Sequence, residues 1–420
     1  MGLTGPSGPL NREEWPVGDA VDGGALAEII PAPEGDSAMS TADLPAPDWP
    51  DVHRPPADLP ADPHGDEAGP TCPLSLSVAP IAGLLNGELT DDPVYDGFEL
   101  QWFDDPVHGT GMLAFLSRRV DRRVDYYRQP TLRLEQSSYQ IGGGTGAWVE
   151  ADFEVARLQV AEDGVDAAVR FTDVDGRPVE IIVNDRDGAP RRPAGLLAPV
   201  GADIQQPAAL LLVWMPRFDL VRATGTKPVI RIGGRDVATG RLPGAWLHRR
   251  HLIKYAAPLC AVEVNRGHDG PLSMPGPPQR VERAADGSGI VALTTEQGEH
   301  RARMVLEPGF PDVDGLADGA VATGVWHVHI DDARVTGGRW HARRRGDEVD
   351  LGLDVVERWR PGPLPPLMRV VTTVVPVFRR WPTSYRWRAV VRLAAPPSMC
   401  SGWQRMPSGG GRSYRRATGS

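Results

Sequence analysis

The chain has 420 residues and a formal charge of −10, with a pI near 5.5. That balance argues against nucleic acid as a default partner. Its three cysteines, Cys72, Cys260 and Cys400, are far apart and form no CxxC, so neither a disulfide framework nor a structural zinc site is signalled.

The first eighty residues hold 15 of the 42 prolines, interleaved with Asp, Glu and Gly. Apolar residues there are sparse and aperiodic, and burial cannot offset the entropy of ordering such a segment. Residues 1–80 are therefore expected to be a disordered, Pro-rich acidic arm. Met1 to Pro6 lacks the basic and apolar regions of a secretory signal, and Pro6 stands where a myristoylation signal takes Ser or Thr. The apolar runs Ala208–Met215 and Val370–Phe378 are too short to span a bilayer. The expectation is a soluble cytoplasmic protein with no transmembrane segment.

From residue 90 onward the pattern is short, alternating strands. Phe98–Phe103 and Gly111–Leu116 flank an Asp-Asp-Pro turn and predict a hairpin. Thr131–Ile141 continues the alternation until Gly142-Gly143-Gly144 breaks it. Val149–Val160 and Val165–Thr172 read as two long strands around Glu162-Asp163-Gly164, where glycine takes the positive φ of the turn. Asp175-Gly176 precedes a further strand, Pro178–Asn184. Ala208–Ala223 is an apolar strand interrupted by Pro216, which predicts an edge position or a bulge, because proline has no ladder donor. Val229–Ile232, Gly233-Gly234 and Asp236–Ala238 form a tight hairpin, and Leu252–Val264 closes a first half. The Pro/Gly-rich loop Gly270–Pro278 is the expected boundary.

In the second half, Ile290–Thr295 and His300–Leu306 are strands, and Val325–Arg334 leads through Gly337-Gly338, read as a turn, to Trp340. Val349, Leu351, Leu353, Val355 and Trp359 share one face. Tyr385, Trp387, Ala389, Val391 and Leu393 share another, opposite Arg386, Arg388 and Arg392. Period-two patterning of this kind means one buried and one wet face. The predicted class is all-β and antiparallel, as two barrels or one large curled sheet, with halves at 81–275 and 276–397 and a flexible basic tail at 398–420.

The residues Val229-Ile230-Arg231-Ile232-Gly233-Gly234-Arg235, followed by Gly244-Ala245-Trp246-Leu247-His248 in a long two-part antiparallel body, resemble the tandem lipocalin-like proteins, which include the carotenoid 1,2-hydratases (hydroxyneurosporene synthases). The resemblance implies the fold more than an activity. Where that family carries an acidic residue beside the Trp/His segment, Arg249 and Arg250 stand here.

Several motifs are absent. Gly142–Gly146 has no following Lys-Ser/Thr, there is no GxSxG or HExxH, and Asp173–Gly176 reads as a turn, not a calcium loop. No cofactor is called for. His327 and His329, two apart on a strand, share a face and with Asp331 have a spacing that suits a metal, although a solvent-face pair is the commoner meaning. His341 is expected on the opposite face. His248, His251 and Lys254 form a second cluster able to handle a proton or an anion at a cavity mouth. The catalytic candidates are thus His248, His251, His327 and Asp331. Aromatic candidates for flooring an apolar site are Trp214, Trp246, Trp326, Tyr385 and Trp387, within a wider set containing Trp102, Trp148, Trp340 and Trp359. The first functional expectation is binding of a hydrophobic, lipid- or isoprenoid-like molecule in a β-barrel cavity. The alternatives are a hydratase, cyclase or isomerase acting on such a molecule, and an interaction module using the Pro-rich arm. The oligomeric state is left open by the sequence.

Overall fold

The computed structural model describes residues 72–139, 141–202, 204–242, 244–272 and 279–406. Most of the predicted arm, the last fourteen residues of the predicted tail and residues 273–278 of the boundary loop lie outside them. The first described strands are β1 (Leu76–Ile81), β2 (Gly83–Glu88), β3 (Tyr95–Asp105), β4 (Gly109–Arg118), β5 (Val124–Arg128) and β6 (Thr145–Glu150). Next come β7 (Val155–Ala161), β8 (Gly164–Thr172), β9 (Pro178–Asn184), β10 (Ala194–Ala198) and β11 (Leu210–Arg222). Then follow β12 (Val229–Ile232), β13 (Arg235–Asp236), the short helix α1 (Ala245–His248), β14 (Arg250–Ala256) and β15 (Leu259–Val264). The remainder comprises β16 (His268–Pro271), β17 (Arg280–Arg283), β18 (Gly289–Gln297), β19 (His300–Pro311), β20 (Val321–Ile330), β21 (Ala333–Arg345) and β22 (Glu348–Glu357). Helices α2 (Pro366–Val374) and α3 (Pro376–Arg380) precede β23 (Tyr385–Arg392) and β24 (Ser398–Arg405).

Among the described residues these strands make three sheets. A ten-stranded sheet runs β1-β15-β11-β14-β2-β3-β4-β5-β6, with β10 against β11. A five-stranded sheet runs β13-β12-β9-β8-β7, and a nine-stranded one β16-β24-β23-β22-β21-β20-β19-β18-β17. All pairs are antiparallel except β5–β6. The chain is therefore all-β, with large curled sheets whose ladders do not close on themselves.

The ten-stranded sheet is bent along one line. β14 and β15 pair with β11 in a single register, Phe218 opposite Ala256 and Trp214 opposite Cys260, which sets Pro216 against Pro258. Neither proline has an N–H, so the ladder is interrupted at that point from both sides. β1 and β2 likewise continue one register along β15 and β14, with Ala82 at the same level. Both expected alternatives for Pro216 are corrected: the strand is central, not at an edge, and its register is unshifted across the proline, the irregularity of β11 against β14 lying between Leu220 and Arg222. Before the bend, Val78, Val262 and Leu212 form one cross-strand row, buried in a core shared with Ala302 and Met304 of the nine-stranded sheet. After it, Leu85, Ile253 and Val221 are buried against Val169 and Ile181 of the five-stranded sheet. The outer face of one sheet thus supplies the core of both neighbours.

The nine-stranded sheet follows the predicted alternation. Trp326, Val328 and Ile330 are fully buried, as are Val349, Leu351, Leu353, Trp387 and Val391. Asp354 on the other face accepts from Arg386 at 2.5 Å and Arg388 at 3.3 Å. The hairpin Val229–Asp236 turns at Gly233 and Gly234, both at positive φ (62° and 78°), as a two-residue turn matched to strand twist requires.

Several further expectations need correction. Strand β1 begins within the span given to the arm and ends one residue past it, and Cys72 and Leu74 are already in the core. Pro80 disguised that strand, but β1 is an edge, where a missing N–H is tolerated. The halves part at Asn265–Gly267 instead of residue 275, since β16 pairs with β24, a strand inside the expected tail. Thr131–Ile141 is not a strand but contains a 3-10 turn at Gln136–Ser138. The long strand expected at Val149–Val160 is split between β6 and β7, in different sheets. Gly337-Gly338 is not a turn: Asp331, at φ +51°, makes it, and the glycines lie inside β21. A Cβ on Gly338 would fall 1.8 Å from the Asp354 carbonyl oxygen, so close strand approach demands glycine there. His341 consequently pairs with Thr323 and joins the face of His327, not the opposite one. Pro366 and Pro376 start two helices in a region where no helix was expected, each at the helical position that lacks a required N–H.

The two halves are tied by buried hydrogen bonds. The Trp403 indole N–H donates to the carbonyls of Val264 (2.9 Å) and Asn265 (2.8 Å), and Tyr385 Oη donates toward those of Gly201 (2.7 Å) and Ile204 (3.0 Å). Trp403→Phe keeps most of the apolar volume but leaves two buried carbonyls without this donor. The expected loss is about 1–3 kcal/mol, seen as a lower urea midpoint at unchanged slope; an unaltered midpoint would show that the indole bond does not hold the junction.

Candidate functional site

The concave face of the ten-stranded sheet encloses a cavity of about 510 Å³. The bend decides which side chains enter it. On β1, β15 and the first part of β11 the inward residues are mainly odd-numbered: Ser77, Ala79, Ile81, Ala261, Glu263, Leu211, Val213 and Met215. Past the bend they are mainly even: Leu84, Asn86, Glu88, Lys254 and Phe218. Phe103 and Phe115 from β3 and β4, Tyr139 from the loop after β5 and Phe378 from α3 complete walls that are mostly apolar.

Among the polar residues of the lining, one group forms a cross-strand row. Lys254 pairs with Asn86, Asn86 with Glu99, Glu99 with Phe115 and Phe115 with Tyr126. Residues directly opposite on neighbouring strands share a face, so the register itself assembles the group. Asn86 Nδ2 donates to Glu99 Oε2 at 3.0 Å, and Gln101 Nε2, two residues along the same strand, donates to Oε1 at 2.6 Å. Burial lifts the Glu99 carboxyl above the usual glutamate range. The two amide donors and the charge of Lys254 pull the other way without cancelling it. Among the described residues, Gln101 Oε1 is buried with no hydrogen-bond partner. A half-turn of that amide exchanges donor for acceptor, so the pair can hold either a carboxylate or a carboxylic acid. Lys254 Nζ also lies 4.0 Å from Glu88 Oε1.

One end of the row is aromatic. The Phe115 and Tyr126 rings are 4.8 Å apart, Tyr126 Oη donates to the Tyr139 carbonyl at 2.8 Å, and Trp148 stacks behind both tyrosines at 5.2 and 5.4 Å. Burial first, and then the nearby Glu99 charge, push both tyrosine hydroxyls upward, keeping them protonated. The site therefore offers the Glu99 carboxyl of raised proton affinity, two amides that orient it, an ammonium two strands away and an apolar chamber; Asp96, also on the lining, is likewise raised by burial.

The residues singled out from sequence lie elsewhere, with Lys254 as the exception. His251 points toward the five-stranded sheet side and its Nε2 is 3.1 Å from the Thr226 carbonyl. His248 is on α1, where its Nδ1 accepts from the Arg250 N–H. His327 and His329 share the outer face of β20, but the Arg334 guanidinium is 2.7 Å from His327 Nδ1 and bridges it to Glu357. Burial and the Arg334 charge lower the His329 pKa. Asp331 faces His300 instead, at 3.2 Å. Among the described residues no three His, Cys, Asp or Glu side chains are grouped as a metal ion needs. Trp214, Trp326 and Trp387 are core residues, Trp246 is 83% exposed, and Tyr385 borders a small pocket of about 30 Å³. None of these five lines the large cavity; phenylalanines and Tyr139 do. Glu99 and Gln101 were missed because each occupies an alternating position that reads as a wet strand face, and Asn86 because it lies ahead of the strands read from the sequence.

Among the described residues no helix is long and apolar enough to cross a membrane. Comparison with known protein families, with characterised proteins and with solved structures finds no match to this chain.

Proposed function

We propose that the chain binds a largely apolar small molecule, lipid- or isoprenoid-like, in the cavity of the ten-stranded sheet. The observation that carries this reading is the chamber itself. Its volume lies in the range of small-molecule sites, and apolar walls converge on a few placed polar groups. The likeness of Val229–Arg235 and Gly244–His248 to lipocalin-like proteins supports the same reading, since curled sheets of that kind enclose ligand space. The buried free thiols of Cys72 and Cys260 fit a reducing, cytoplasmic setting.

Ala261 lies on the wall facing the void, so Ala261→Phe fills the chamber without entering a packed core. Parent protein is expected to take up the neutral probe N-phenyl-1-naphthylamine with 1:1 stoichiometry. Ala261→Phe is expected to weaken that uptake at least about tenfold, a change of about 1.4 kcal/mol, with an unchanged circular-dichroism spectrum. Equal uptake by both proteins would move the ligand site away from this chamber.

A second reading, catalysis on the bound molecule by hydration, cyclisation or isomerisation, is favoured by Glu99. A carboxyl of raised proton affinity, held by two amides beside an apolar chamber, is suited to deliver a proton to a ligand and recover it. Its proton affinity has a measurable sign. Because the folded value lies above the ordinary 4.5, the folded state binds this proton more tightly than the unfolded chain. The stabilisation is complete below pH 4.5 and is lost as pH rises through the raised folded value, at up to about 1.4 kcal/mol per pH unit. Glu99→Gln removes that slope. The stability difference between variant and parent should therefore shift in the variant's favour over that window and then level off. A difference that is flat with pH would remove the ground for acid chemistry at Glu99.

A further inference from the structure

At one end of the cavity the chain projects a loop between Gly240 and Arg250 that carries α1. Both of its stems adjoin residues of the cavity wall. The Gly240 N–H donates to the Glu88 carbonyl at 3.1 Å, and a Cβ on Gly240 would meet the Glu88 side chain at 3.0 Å. On the other side β14 runs from Arg250 into Lys254, and both Glu88 and Lys254 line the chamber. At the tip Trp246 and Leu247 are adjacent, 83% and 72% exposed. Single exposed apolar residues are ordinary, but a Trp-Leu pair held out on a loop places a large apolar surface in water.

The charged side chains exposed on the loop itself and on the turn beside it are basic. Arg241 and Arg249 are exposed on the same loop. Lys227 is exposed on the neighbouring turn, which is held by the Ala223 N–H to Arg249 carbonyl bond (2.8 Å) and the His251–Thr226 contact (3.1 Å). Between residues 220 and 250 Asp236 is the single acidic residue, and it pairs with Arg231 at 2.7 Å. No carboxylate pairs with Arg241, Arg249 or Lys227 among the described residues. Apolar residues that prefer the lipid–water boundary, ringed by unpaired cations, complement an anionic lipid surface.

We infer that the Trp246–Leu247 loop docks on an anionic lipid bilayer, with both side chains in the headgroup boundary and Lys227, Arg241 and Arg249 against lipid phosphates. The loop would set the adjoining end of the cavity at the membrane, so the inference deepens the ligand-binding reading and rests on it for the purpose of docking. Docking and ligand uptake are nonetheless measured separately. The full chain is sedimented with vesicles of equal parts phosphatidylcholine and phosphatidylglycerol, and with vesicles of phosphatidylcholine alone. The expected result is preferential binding to the mixed vesicles that weakens with added salt. Trp246→Ala/Leu247→Ala should lower it at least about tenfold, as should Arg241→Gln/Arg249→Gln, while both variants keep the parent's uptake of N-phenyl-1-naphthylamine without vesicles. Failure of the parent to sediment, equal binding to both vesicle types, or undiminished binding by the Trp/Leu variant would overturn the inference. So would self-association of the parent that the Trp/Leu variant abolishes, since a second copy would then be what covers the loop. Vesicle binding without probe uptake would leave docking in place and count against the cavity reading alone.

Discussion

The arrangement depends on a line where three neighbouring strands lose regular pairing together. Pro216 and Pro258 face each other across one ladder, and Ala82 lies level with them on the next strand. A sheet that kept its ladder through this point would carry the same parity of side chains inward along its whole length. The break lets the chain reverse that parity while keeping its pairing register. Ser77, Ala79 and Ile81 face the void before it, and Leu84, Asn86 and Glu88 after it. One continuous concave wall results, and the convex side serves two different sheets.

Glu99 is where that construction acquires chemistry. It lies on β3, which runs past the bend without interruption, and its neighbours across the ladder are fixed by register to Asn86 on one side and Phe115 on the other. One neighbour supplies a hydrogen bond and the other an apolar contact. The carboxyl is thus oriented by amides while its charge is penalised by burial. The nine-stranded sheet offers a contrast. Four fully buried tryptophans, Trp326, Trp340, Trp387 and Trp403, fill its concave side, so that half acts as packed support.

Much of the fold was legible because period-two alternation is a direct record of burial. The face containing Trp326, Val328 and Ile330 and the face containing Val349, Leu351 and Leu353 could be read residue by residue. The hairpins at Gly164 and Gly233-Gly234 were legible because positive φ selects glycine. What could not be read was which polar face looks into a cavity. Glu99 and Gln101 alternate with Phe98 and Leu100 as a solvated face would, and it takes the curl of the whole sheet to put them inside. His327 and His329 have the same local signature and stand on an outer face beside Arg334. Gly337-Gly338 misled for a related reason, since glycine serves close strand approach as well as turns, and the distinction lies in the partner strand's Asp354.

The central claim, that the chamber of the ten-stranded sheet holds an apolar small molecule, is tested most directly by native mass spectrometry of the full chain from a lipid-rich host, compared with its denatured mass. A discrete added mass that extracts into organic solvent, and that is absent from Ala261→Phe protein prepared in the same way, is the result predicted. A parent protein whose native and denatured masses agree, or an adduct that persists unchanged in Ala261→Phe, would contradict the account.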